Sequence, residues 1–175
     1  SYTAKLINQN KILAWFQGRS EFGQRALGNR SILANPKAVN IKEKVNSSIK
    51  YRESFRPFAP SIIKESQNDY LIILNDQNSY FMERVFTFKK EFWEKLPGVV
   101  HYNGTGRLQT VSIETNPKFY NLIREFEKLS GFPIILNTSF NVNGMPLVET
   151  PGDALDCFYM SGIDYLVLNN FIVSK

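Results

Sequence analysis

A chain of 175 residues, 43% apolar and carrying 14 phenylalanines and 8 tyrosines, has enough to bury for one domain over residues 1–175 that folds by packing alone. Its single cysteine, Cys157, and single histidine, His101, exclude a disulfide framework, a cysteine-rich zinc site and a multi-histidine metal centre, and they point to a reducing, cytoplasmic setting. A net charge of +5 favours phosphates, nucleotides or nucleic acid as partners, and no apolar run reaches the roughly 18 residues of a membrane span.

Residues 11–18, KILAWFQG, have the apolar and aromatic character of a buried strand that stops at a glycine, so the next segment is expected to leave from a sheet edge. That segment, GRSEFGQRALGNRS, sets Arg19, Arg25 and Arg30 on connecting backbone beside Gly18, Gly23 and Gly28. Beyond Pro36, the residues Val39, Ile41, Val45 and Ile49 form one loose helical stripe with lysines and asparagines opposite. In FRPFAPSII, Pro57 and Pro60 withhold ladder donors, which predicts an edge or lead-in segment to a strand at 61–63. YFMERVFTF and RLQTVSI have strand length and patterning, with a loop over 89–104 between them.

Asn116 as cap, Pro117 in the first turn, and Tyr120, Ile123, Phe126 and Leu129 along one face predict a helix that ends at Gly131. FPIILNTSF reads as a buried strand. Thr150 with Asp153 is a capping arrangement for a helix with Leu155, Phe158 and Tyr159 inward and Gly162 as its stop, and DYLVL supplies a last strand. Strands and helices alternate only in the second half, so the predicted class is mixed α/β, a mixed sheet with helices packed on it rather than a strict doubly wound one.

Four segments carry chemistry. Arginine binds phosphate or carboxylate with two parallel donors, so Arg19, Arg25 and Arg30 beside bare glycine backbone suit an anion; the alternative, that they pair with Glu21 while the glycines serve turns, stays open. SIKYRESFRP adds Lys50, Arg52 and Arg56 against the lone acid Glu53, and the apolar Phe55, Pro57, Phe58 and Pro60 are expected to draw Arg56 inward, where it needs an anionic partner. HYNGTGRLQT is a glycine-rich turn that presents Thr105 and Arg107 ahead of a strand. In LNTSFNVNG a buried strand breaks into Asn137, Thr138, Ser139 and Asn141, more polar groups than a turn needs, which favours a ligand. His101 is a secondary candidate for a general base, and Cys157 on an apolar helix face reads as structural. The carboxylates Asp69, Asp76, Asp153 and Asp156 show no metal-ligand spacing, and neither the P-loop nor the dinucleotide fingerprint is present.

Together the stretches GRSEFGQRALGNRSILANP, IKYRESFRPFAPSI, HYNGTGRLQTV and LNTSFNVNGMPLVETPGDAL resemble the C-terminal domain of the O-carbamoyltransferases, a family that includes nodulation-factor and antibiotic-tailoring enzymes. The resemblance runs from about Gly18 to the end of the chain. It implies a YrdC-like twisted mixed sheet in which ATP and carbamoyl phosphate yield carbamoyl-adenylate with loss of pyrophosphate and phosphate. It also implies an N-terminal, ATPase-like, metal-carrying domain that passes the carbamoyl group to an acceptor hydroxyl. The present chain opens just ahead of the first motif, contains no counterpart of that domain, and so reads as a fragment. By the same resemblance Arg25, Lys50, Arg56 and Arg107 act on the phosphates as catalytic groups, while Asn137 and Ser139 line the substrate pocket; Thr105 and Asn141 join them from the residue reading above. ATP is then a substrate, accompanied by Mg2+ held chiefly by phosphate oxygens, with no metal bound by this domain alone. Ser20, Phe22 and Gln24 stand where methionine, tryptophan and proline are commoner in the family, and Asn103 where aspartate is usual, a change expected to weaken magnesium or ribose contacts. Two rivals accompany this expectation: a YrdC-like nucleic-acid-binding module, disfavoured because the basic residues lack interleaved exposed aromatics, and a catalytically silent assembly domain.

Overall fold

The computed structural model describes residues 1–75 and 77–175; Asp76, one of the carboxylates considered above, lies outside them. Among the described residues nine strands form one mixed sheet, with β1 (Leu13–Phe16), β2 (Arg30–Ala34), β3 (Ala59–Ile63), β4 (Leu71–Ile72), β5 (Arg84–Phe88), β6 (Thr105–Val111), β7 (Ile134–Ser139), β8 (Tyr165–Leu168) and β9 (Phe171–Ser174) in the spatial order β4-β5-β6-β3-β7-β2-β1-β8-β9. Only β3/β6 and β1/β8 pair in parallel.

Helices cover both faces. α1 (Tyr2–Asn8) and α4 (Pro117–Ser130) bury Ala4, Ile7, Phe119, Ile123 and Phe126 against Leu13, Trp15 and Leu33 on one side. On the other side α2 (Ile41–Val45), its π-helical continuation at Asn46–Lys50, and α5 (Pro151–Met160) pack Val45, Ile49, Ala154 and Phe158 against Ala14, Phe16 and Ile32. α3 (Gln67–Tyr70) leads directly into β4. The alternation along β1, with Leu13 and Trp15 on one face and Ala14 and Phe16 on the other, is the two-residue period of a strand with helices on both sides.

Several local expectations hold. Asn116 caps α4 by accepting from the Phe119 amide at 3.1 Å, and Gly131 closes it at φ +78°. Thr150 and Asp153 form a reciprocal box at α5, with the Asp153 amide donating to Thr150 Oγ1 at 3.2 Å and the Thr150 amide to Asp153 Oδ2 at 2.8 Å.

Others need correction. β1 lies between β2 and β8, so the arginine-rich segment leaves the end of a central strand. Arg30 is the first residue of β2 and not part of a connection. β3 is central despite Pro60, and its register with β6 begins only at Ser61, past the residue that lacks a donor. Val39, Leu129 and Tyr159 face solvent; α4 instead buries Phe119, Leu122, Ile123 and Phe126, and α5 ends at Met160. Helix α1 and strands β2, β4 and β9 were not among the predicted elements.

Candidate functional site

The first-named arginines part company in the structure. Arg30 is 3% exposed, lies 3.4 Å over the Phe16 ring, and donates to the carbonyls of Gln17, Asn29, Gly18 and Glu149, so it fastens the loop between β1 and β2. Glu21 pairs with no arginine side chain; its Oε1 accepts from the amides of Leu27 at 2.7 Å, Asn29 at 2.8 Å and Arg30 at 3.3 Å, curling the same loop on itself. Arg25 is thereby carried over the sheet, where it lines a cleft; Arg19 lines neither part of it.

That cleft sits over the starts of β3 and β6 and the end of β7. Its inner cavity, about 120 Å3, is lined by Arg25, Arg52, Arg107, Asn137, Thr138 and Ser139 among others. An outer cavity of about 330 Å3 shares Arg25, Arg52 and Arg107 and adds Arg56 and His101. None of the described residues lining either cavity is acidic.

The cations press on one another. Burial, then the charge of Arg25, lowers the Arg107 pKa; burial, then Arg56, lowers that of Arg52, with Arg107 adding to the effect and Glu53 opposing it. Arg107 Nε is buried without a partner. Like charges held this close, with one donor unmet, describe a site shaped for an anion.

Arg52 reaches the cleft through residues that no sequence pattern marks. After the π-helical turn, Tyr51 adopts a left-handed conformation at φ +45°, and the buried Asn46 accepts from Arg52 Nε at 2.7 Å while donating to the carbonyls of Ser54 and Arg56 at 3.2 and 3.0 Å. Arg52 also stacks over Phe58 at 5.0 Å. Arg56, expected inward, stays half exposed at the mouth, 3.8 Å from Glu53, because Phe55 and Pro57 beside it face solvent and only Phe58 and Pro60, farther along, are buried.

Lys50 lines neither cavity. It is 5% exposed, and its Nζ donates to Ser139 O at 2.6 Å, Ser139 Oγ at 3.2 Å, Asn141 O at 2.9 Å and Asn141 Oδ1 at 2.7 Å. Burial and then Arg52 push its pKa down to about 7. Lys50 and Asn141 thus hold the end of β7 from beneath, and Ser139 is the part of that cluster that meets the cavity. Thr105 is likewise a support: its hydroxyl donates to Asn103 Oδ1 at 2.7 Å and, its proton committed there, accepts from His101 Nδ1 at 3.1 Å, leaving His101 Nε2 as an acceptor. Burial, then Lys42 and Arg107, lowers the His101 pKa, which favours the neutral ring. Asn103 serves this turn and lines neither cavity.

A family model for the carbamoyltransferase C-terminus matches residues 4–175. The chain belongs to that family. NolO, a nodulation protein of Bradyrhizobium diazoefficiens, is 42% identical over 176 residues that cover 100% of this chain and 32% of that protein. NolNO of Sinorhizobium fredii is 41% identical over 100% of this chain and 26% of its own length, so the carbamoyltransferase domain described here spans about a third or less of these relatives. Among solved structures, HypF in its phosphate- and nucleotide-bound form superposes with a TM-score of 0.67 at 17% identity, over 97% of this chain and 24% of HypF. P. abyssi Sua5 does so with a TM-score of 0.60 at 14% identity, over 99% of this chain and 51% of Sua5. The fold is the YrdC-like α/β fold.

Beneath the cleft of this carbamoyltransferase domain runs a polar network across three strands. Asn137 Nδ2 on β7 donates to Ala26 O at 3.2 Å, Ser61 Oγ at 3.1 Å and Gln109 Oε1 at 2.9 Å; Ser61 Oγ on β3 donates to the same Gln109 oxygen at 2.5 Å; and Gln109 Nε2 on β6 reaches Leu27 O at 2.8 Å. Ser61 and Gln109 escaped the sequence reading, although a lone polar residue inside an apolar strand was the available signal. One further expectation is corrected: Phe22, Tyr51 and Phe55 are exposed in the same loops as Arg25, Arg52 and Arg56, and Tyr102 in the turn that precedes Arg107 on β6, so aromatics do accompany the basic residues.

Proposed function

We propose that this domain activates a carbamoyl group, using ATP and carbamoyl phosphate to form carbamoyl-adenylate. In balanced form, water converts carbamoyl phosphate to carbamate and phosphate, and a carbamate oxygen then displaces pyrophosphate from the α-phosphorus of ATP. The observation that carries the reading is the convergence of Arg25, Arg52, Arg56 and Arg107 on one cleft with no acidic lining among the described residues. Such a site lowers a phosphoryl-transfer barrier by positioning and charge stabilisation, without a side-chain nucleophile. His101 Nε2, a neutral acceptor at the mouth, suits orientation of the water. Magnesium entering with the nucleotide would be held by phosphate oxygens, since no carboxylate among the described residues lines the cleft. In the longer family members an N-terminal domain would complete the transfer to an acceptor hydroxyl, in the cytoplasm.

The test is incorporation of labelled pyrophosphate into ATP by the complete protein. Incorporation that depends on carbamoyl phosphate is expected; a folded protein that shows none refutes the reading. A second reading, a module for single-stranded nucleic acid, draws on the exposed Phe22, Tyr51, Phe55 and Tyr102 as stacking surfaces. It requires single-stranded RNA to bind with an affinity that falls steeply with salt.

A further inference from the structure

Asn46 is 0% exposed and lines neither part of the cleft, yet it is bonded to both residues, Arg52 and Arg56, that its segment sends there. Its main-chain carbonyl accepts from the amides of Tyr51 and, at 3.1 Å, Arg52, which closes the π-helical turn. In an α-helix a side chain six residues on would point about 120° away from that of Asn46. The wide turn and the left-handed Tyr51 instead fold the chain back, and Arg52 Nε meets Asn46 Oδ1 at 2.7 Å. The Asn46 amide cannot be turned over, because its nitrogen already serves the carbonyls of Ser54 and Arg56. With Nε held and its guanidinium over the Phe58 ring, Arg52 keeps Nη1 and Nη2 for the cleft, and no hydrogen bond or ion pair from another described residue engages them.

We infer that Asn46 is a positioning residue for anion binding, one that acts only through Arg52 by presetting the guanidinium with its Nη edge toward the cleft. The inference rests on the anion-binding cleft of the function proposed above. Closing a free arginine on an anion costs rotamer entropy, and one already fixed along one edge loses less of it. The chemistry of the partner matters as much as its place. A carboxylate at position 46 would hold Arg52 as firmly, but it would neutralise the charge meant for the cavity and would confront the Ser54 and Arg56 carbonyls without a donor. The neutral amide orients the guanidinium and leaves its charge to the cleft.

The test is a double-mutant cycle on the complete protein, read by titration calorimetry with pyrophosphate. Arg52→Met is expected to weaken binding about 10- to 100-fold and Asn46→Ala about 3- to 10-fold, whereas adding Asn46→Ala to Arg52→Met should change it less than about twofold. A general structural role makes a different prediction: Asn46→Ala then costs the same factor with or without Arg52, and that result overturns the inference. Native affinity in either single variant overturns it too and leaves the anion site to the remaining arginines. A native protein that binds no pyrophosphate overturns the anion site as well. Should Asn46→Ala not fold, a structure of the native protein with pyrophosphate decides: Arg52 holding Asn46 Oδ1 through Nε and pyrophosphate through Nη supports the assignment, and an Arg52 that has left either partner rejects it.

Discussion

Arg107 is held at a cost that a ligand can repay. Its Nε is buried without an acceptor and its charge faces Arg25, so the cleft bears a strain of about 1–3 kcal/mol from the unmet donor alone. Arg107→Met is therefore expected to leave the melting temperature unchanged or raise it, while pyrophosphate affinity falls about 10- to 100-fold because a charge-assisted donor is lost. A melting temperature that drops by several degrees would mark the residue as structural instead. Lys50 behaves differently because it supports the site from below. Its folded pKa, about 7, lies below the 10.5 of the free side chain, so between those values the unfolded chain binds the proton that the folded protein has released. Stability contributed by this group thus rises with pH from about 7 upward, by at most about 1.4 kcal/mol per pH unit. Subtracting the urea-unfolding profile of Lys50→Met from that of the native protein between pH 7 and 9 should isolate this slope; a flat difference would show that Lys50 keeps its proton.

At the scale of elements, the loop between β1 and β2 is tied to the start of α4. Gly28 sits at φ +102°, and a Cβ there would lie 2.3 Å from Cδ1 of the buried Phe119. Gly28→Ala should cost at least about 2 kcal/mol in urea unfolding, since both the backbone and a core ring must move. Gly18→Ala, also at positive φ but with nothing within 4 Å, should cost only about 1 kcal/mol of backbone strain. These elements also show what the sequence could reveal. α4 and β7 were legible because a cap, a proline and a glycine punctuate one and an apolar run ending in Asn137 marks the other. β3 was legible as a strand at 61–63 but not as a central one, since Pro60 argues against that place and only the start of its β6 register makes it tolerable. Arg25, Arg107, Asn137 and Ser139 could be marked segment by segment from their polar company at strand ends and loops, and only the family resemblance grouped them into one site. The choice of Arg52 over Arg56 for the cleft interior could not, because it depends on the left-handed Tyr51 and on Asn46, whose roles exist only after the chain has turned.

For the whole molecule, the net charge of +5 is less informative than its placement, since arginines from two loops and from strand β6 line one cleft with no acid among the described residues of its walls. Ligands that bind only the folded state stabilise it by mass action. Pyrophosphate at about one hundred times its dissociation constant should raise stability by about 2.7 kcal/mol, whereas chloride at equal ionic strength should not reproduce the shift in melting temperature. A shift that chloride matches would reduce the cleft to general screening.

Strand β1 is flanked on one side by β2, its near neighbour in the chain, and on the other by β8, which lies far along it. A polypeptide emerging from the ribosome therefore cannot close its sheet until β8 has cleared the exit tunnel. Nascent chains must shield the β1 edge during that wait, and truncation before β8 should yield an aggregation-prone product rather than a smaller working domain.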